Sequence, residues 1–141
     1  MPLTSRRLRY AALAVGTVGL GLFVHMHGHS LPGNVRDILG DMLWATMIYW
    51  ILAFIAPTAP RTWLAGIAIA ICFAVEFSQL LHTPALHSAR SSMIGHLMLG
   101  TDFDARDLFA YSAGVIVAAF LDHWMIQRAS ARIHTIESPQ L

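Results

Sequence analysis

The sequence has no lysine, one cysteine and little charge of either sign. Only 12% of its 141 residues are charged, whereas 56% are hydrophobic. A soluble domain carries about 25% charged residues, because polar side chains must cover its surface. So sparse a set cannot cover a soluble fold of this length. It also excludes a disordered chain and a basic nucleic-acid binder. The lone cysteine, Cys72, excludes an intrachain disulfide framework and a cysteine-based zinc cluster. It lies among apolar neighbours and reads as a packing residue. Without lysine, arginine is the whole basic set: nine Arg face eight carboxylates, for a net charge of +1, beside eight histidines.

What is present is four apolar stretches: Tyr10 to Val24, Met42 to Ala56, Trp63 to Leu81, and Leu108 to Leu121 extended by Trp124, Met125 and Ile126. A membrane helix needs about 20 mostly apolar residues. With flanking residues included, spans are expected over about 8–26, 38–56, 62–81 and 107–126. The sequence therefore predicts an all-α polytopic membrane protein, a four-transmembrane-helix bundle formed by residues 1–128. A polar, frayed cytoplasmic tail is expected over 129–141. Pro57 and Pro60 make a tight turn between spans two and three. Residues 25–41 and 82–107 read as loops, with a short interfacial helix at Ser91 to Leu99. The first span has the basic start and apolar core of a signal peptide. However, the sequence after it, His25-Met26-His27-Gly28-His29, offers no small-x-small cleavage site, so an uncleaved anchor is expected.

Arginine placement sets the expected orientation. Six Arg (6, 7, 9, 61, 128 and 132) fall on the side of the termini and three (36, 90 and 106) on the other. This predicts an N-in/C-in protein of the bacterial inner membrane, with both termini cytoplasmic and the two longer loops outside.

Ionisable residues at membrane depth are costly and usually turn inward. Glu76, Gln79 and His82 recur every three residues and form a polar stripe on span three. Asp104, Asp107 and Tyr111 form a matching stripe at the start of span four, and Gly114 lets another helix approach there. Asp41 opens span two, and Asp102, Arg90 and Arg106 lie in the outer loop. No comparable set is apparent in the cytoplasmic half. In this reading Glu76 and Asp107 are the candidate catalytic acids. Asp41, Gln79, Arg90, Asp104 and Arg106 are the candidate substrate ligands, the arginines suiting a phosphate or carboxylate. The structural alternatives are simpler. Arg90 and Arg106 neutralise Glu76 and the aspartates, Asp104 or Asp107 caps the fourth helix, and Gln79 joins helices.

Glu76-x-x-Gln79, Arg90, Asp104-x-x-Asp107 and Gly114 together resemble the pattern of the VanZ-like proteins. The whole chain is more similar to a neighbouring group, uncharacterised small four-helix bacterial inner-membrane proteins with a domain of unknown function. Leu39-Gly40-Asp41-Met42-Leu43-Trp44-Ala45 looks like that group's Gly-Asp-x-Leu-Trp element. Phe73 to Leu80, and Leu99-Gly100 followed by Asp107-Leu108-x-Ala110-Tyr111, resemble its other two. The resemblance covers roughly residues 8–126. Where VanZ-like proteins often carry an Asn between the last acid and the glycine, this chain reads Leu108-Phe109-Ala110-Tyr111-Ser112-Ala113. The resemblance implies a membrane protein of the cell envelope, with one VanZ-type member linked to glycopeptide resistance. It implies no particular reaction.

His25, His27 and His29 alternate after the first span. In an extended segment they would share a face and form a copper, nickel or zinc grip, to which His82, His87 and His96 on the same side can add. Three functions follow. The first is binding or modification of a polar cell-envelope or lipid-linked substrate at the outer acids, with Glu76 as base or ligand. The second is a non-catalytic accessory role in a larger envelope complex with a membrane-protein partner. The third is periplasmic metal binding. A proton path through Glu76 is disfavoured because no acid continues it through the cytoplasmic half of spans two and three. Nothing in the sequence specifies a cofactor.

Overall fold

The computed structural model describes residues 3–81, 83–92, 95 and 103–137, without the side chains of residues 29, 90 and 129–137. Among these residues the chain is entirely helical, with turns between helices. Helix α1 spans Leu3–His27 and runs into a 3-10 turn at Gly28–Ser30. Helix α2 spans Gly33–Ile55, α3 Arg61–Ser78, α4 Pro84–Arg90 and α5 Ala105–Glu137. Four of these helices, with α5 taken over Ala105–Arg128, are long and apolar enough to cross a membrane. The chain is a multi-pass membrane protein by that criterion.

Local sequence accounts for the boundaries. Pro32 and Pro60 precede α2 and α3, where a missing N–H costs nothing. Thr83 caps α4 by accepting a hydrogen bond from Leu86 N at 3.3 Å, with Pro84 at its first position. Two expectations are corrected. The first connection is short, because α1 runs to His27 and α2 begins at Gly33. Asp41 therefore sits in the third turn of α2 rather than at its start. A short helix, α4, also stands at Pro84–Arg90; most of the expected interfacial helix at 91–99 lies outside the described residues. The tail does not fray at 129: α5 continues to Glu137, since Ala129, Ala131 and Arg132 are strong helix formers and no Pro or Gly intervenes.

Helix α2 lies at the centre and packs against α1, α3 and α5; α3 packs against α5 as well. The core is built largely from small residues. Ala45 and Ala53 on α2, Ala68 and Cys72 on α3, and Val115 and Ala118 on α5 are all fully buried. Lipid tails are as apolar as leucine, so helices gain little by hiding large apolar side chains and much by close backbone approach. At Gly114 the backbones of α2 and α5 approach closely: a Cβ placed there would strike the Met42 backbone, its carbonyl oxygen first. Thr46 Oγ1 donates to the Gly114 carbonyl at 3.0 Å across the same contact. The large apolar residues Val15, Phe23, Phe109, Ile116 and Phe120 face outward, as lipid contact requires.

Candidate functional site

Buried positions on α3 are Leu64, Ala68, Cys72 and Glu76, four residues apart throughout. The carboxylate thus occupies a core ridge and cannot turn to lipid. Its two oxygens accept from three neutral donors. The Asp104 backbone N–H reaches Oε1 at 2.8 Å, Gln79 Nε2 reaches Oε2 at 3.0 Å, and the Tyr111 hydroxyl reaches Oε2 at 3.1 Å. Glu76 is fully buried, and Gln79 and Tyr111 are each 5% exposed. This network ties the end of α3 to the start of α5.

Two further acids stand beside it. Asp41 on α2 and Asp107 on α5 are half-buried and lie near one another. Both are charge neighbours of Tyr111, and so is Glu76. Three acids from three helices therefore surround one phenol. Among the described residues no arginine pairs with any of the three; the acid–arginine pairs there are Arg36–Asp37 and Arg61–Asp122. Gln79 Oε1 is buried without a hydrogen-bond partner. Its Nε2 already serves Glu76, and turning the amide over would set two acceptors against each other.

The opposite end holds a second buried carboxylate, which the sequence reading overlooked. Asp122 on α5 accepts from the Tyr10 hydroxyl of α1 at 2.8 Å and the Tyr49 hydroxyl of α2 at 3.1 Å. Arg61 at the start of α3 places Nε 3.2 Å from Asp122 Oδ2, close enough for an ion pair but not aligned for a hydrogen bond. Trp50 stacks on Tyr10 at 6.0 Å and meets the Tyr49 ring edge-on at 5.2 Å. Arg6 Nη1 adds a bond to the Pro57 carbonyl at 3.4 Å. All four membrane helices thus meet at one carboxylate. Fifteen residues separate Asp107 from Asp122, which places the two centres about 22 Å apart along α5. The expectation of a half without a polar set is corrected. Asp122 continues the buried face of Tyr111, Val115 and Ala118, and that periodicity was the available signal.

The model of a family described as "Protein of unknown function (DUF2809)" matches residues 30–115. The chain belongs to the DUF2809 family. No solved structure matches it. The DUF2809 match takes in Asp41, Glu76, Gln79, Asp107, Tyr111 and Gly114, so the whole three-acid cluster lies within it. Tyr10 and Asp122 lie outside it.

Within this DUF2809 chain the other sequence candidates are placed as follows. Asp104 is the cap of α5: its Oδ1 accepts from Arg106 N at 2.9 Å, while its own N–H serves Glu76. The Arg106 side chain is exposed and does not neutralise Glu76. The side chain of Arg90, and all of His82, His96 and Asp102, lie outside the described residues. His25 and His27 belong to the last turn of α1, not to an extended segment. Two residues apart on a helix, they point about 160° away from one another, and His27 stacks on Phe23 at 4.8 Å. The structure does not bring them onto one face; the side chain of His29 lies outside the described residues. Among the described residues no cluster of three His, Cys, Asp or Glu side chains suits a metal ion.

Proposed function

We propose that this DUF2809 member binds or acts on a polar cell-envelope or lipid-linked substrate at the Glu76 end of its bundle. The observation that carries the reading is the cluster of Asp41, Glu76 and Asp107, three acids from three helices with no arginine partner among the described residues. Buried or half-buried acids in a membrane bundle are costly and are usually functional. Within the cluster the roles divide by access. Glu76 is fully engaged by three donors and holds the site in shape. Asp107, half-buried beside Asp41, is the acid open to a substrate and the candidate acid–base group. Arg90 is retained as a candidate ligand from the long loop. The VanZ-like resemblance supports an envelope substrate, and arginine placement supports an inner-membrane protein with both termini inside and this end outward.

The test compares small molecules that co-purify with the wild-type chain and with Asp107→Asn, by mass spectrometry. The expected result is a polar molecule retained by the wild type and lost from a variant of equal abundance and thermal midpoint. Identical profiles would favour the second reading, a non-catalytic accessory protein. That reading draws on the same networks, since Glu76 and Asp122 both join helices.

A further inference from the structure

Charge is divided unevenly along the bundle. Asp122 marks one end, where it holds Tyr10 of α1, Tyr49 of α2 and Arg61 of α3. Arg6 lies one turn from Tyr10 and donates Nη1 to the Pro57 carbonyl at 3.4 Å, in the turn that leads to Arg61. Arg128 lies six residues beyond Asp122, about 9 Å along α5. With Arg7, Arg9 and Arg132, six arginines fall at or beyond this end against two acids, Asp122 and Glu137, a balance of +4 over the full sequence. Asp122 is already engaged by Arg61, and Glu137 lies about 22 Å farther along α5. The remaining charges of the chain, three arginines and six acids, sum to −3.

The same end carries the marks of a membrane surface. Trp63, two residues after Arg61, is 58% exposed, and Trp124, two residues after Asp122, is 43% exposed. Exposed tryptophans of membrane helices settle at headgroup level, because one edge of the ring is apolar and the other carries an N–H. The Arg128 guanidinium lies 3.6 Å from the centroid of the Trp124 ring, so its charge is held at that depth. Arg7 and Arg128 are exposed, and Arg6 uses one of its five N–H donors on Pro57. This rim therefore presents N–H donors under positive charge, from two helices, at the depth of lipid phosphates. A guanidinium can pair with a phosphate through two N–H groups at once.

We propose that the end of the bundle bearing Arg6, Arg61 and Arg128 is a docking surface for anionic phospholipid headgroups of the surrounding bilayer. Arg6 and Arg128 contact the headgroup phosphates, while Arg61 stays with Asp122 as the fixed centre of the rim. A zwitterionic headgroup brings the same phosphate with its own ammonium, which cancels the charge and is repelled by the arginines. This surface lies at the other end from the three-acid cluster and does not depend on what that cluster binds.

The test uses the full chain in detergent and native mass spectrometry with phosphatidylglycerol and phosphatidylcholine of identical acyl chains. An arginine near an anionic surface contributes about fivefold in affinity. Phosphatidylglycerol should be retained better than phosphatidylcholine. Arg6→Gln and Arg128→Gln should each weaken its retention about fivefold and leave phosphatidylcholine unchanged. The two positions stand on different helices, so one poorly folded variant does not decide the matter. Arg36→Gln removes the same charge from an arginine at the other end, paired with Asp37, and should leave the preference intact. Equal retention of both lipids overturns the proposal, as does a preference that survives in both Arg6→Gln and Arg128→Gln. An equal loss in Arg36→Gln also overturns it, since net charge and not this surface would then set the preference. Inorganic phosphate is the soluble arm. A thermal midpoint raised by phosphate, without preferential retention of phosphatidylglycerol, overturns the lipid source in favour of a soluble anion.

Discussion

Replacing Asp122 by alanine removes the acceptor shared by Tyr10, Tyr49 and Arg61. Its cost can be built from the parts. Hydrogen bonds between membrane helices average about 0.6 kcal/mol and reach about 1.7 kcal/mol. Two phenolic bonds to a carboxylate in a site 1% exposed belong at the upper end, together about 2–3 kcal/mol. Stripping one partner from a fully buried ion pair costs about 3–5 kcal/mol. The Arg61 side chain is 33% exposed and can turn to water, so its share falls to about 1 kcal/mol. Asp122→Ala should therefore destabilise the bundle by about 3–4 kcal/mol. Tyr10→Phe and Tyr49→Phe should each cost about 1 kcal/mol.

The assay is reversible unfolding in mixed micelles, scored by the midpoint and by protection of the bundle from protease. Because three groups share one acceptor, their effects should not add. In the Asp122→Ala background, Tyr49→Phe should have almost no further effect. Removing both charges, as in Arg61→Met with Asp122→Leu, should recover part of the loss, since an apolar pair leaves no uncompensated charge. If Asp122→Ala cost less than Tyr49→Phe alone, or if the two effects simply summed, the carboxylate would not be the common anchor.

Three other outcomes are expected. Gly114→Ala should cost about 1–3 kcal/mol in the same assay, because its Cβ would strike the Met42 backbone, carbonyl oxygen first; an unchanged midpoint would contradict the close α2–α5 contact. Asp104→Ala should cost about 1 kcal/mol through the lost cap, whereas Arg106→Ala, on the same turn but exposed, should stay within about 0.5 kcal/mol; equal costs would mean that the arginine side chain holds the site after all. A periplasmic reporter fused after Leu141 should be silent, and an active one would overturn the orientation drawn from arginine placement.

The apolar spans were legible because membrane insertion depends on composition summed over about 20 residues, and no single contact decides it. Glu76 was legible for the complementary reason: one acid inside such a run must be turned inward. Its company was read less well. The sequence invites pairing Glu76 with Arg90 or Arg106 by opposite charge, yet the structure satisfies it with a backbone N–H, an amide and a phenol. Charge complementarity is visible in a sequence, whereas a backbone donor is anonymous until the turn before α5 is folded. The histidines failed on a different step. Alternation implies a shared face only in extended chain, and α1 runs through His27 as helix.

Asp122 escaped for the most instructive reason. Each of its partners already had an explanation: Arg61 as a marker of the cytoplasmic side, Tyr10 and Tyr49 as part of apolar runs. An assignment that suffices for one residue conceals a second role, and only a long-range contact between residues 10, 49, 61 and 122 reveals it. That contact also alters the case for a proton path. An acid does exist in the second half of the bundle, but about 22 Å of α5 separates Asp122 from Asp107. Between them, Val115 and Ala118 share the fully buried apolar core with Ala45, Ala68 and Cys72. The Thr46 hydroxyl donates its hydrogen bond to the Gly114 carbonyl, which has no proton of its own to relay onward. The two centres are thus separate in chemistry as well as in place. One is a closed ion pair that fastens four helices, and the other is an acid cluster with acceptor capacity still unfilled.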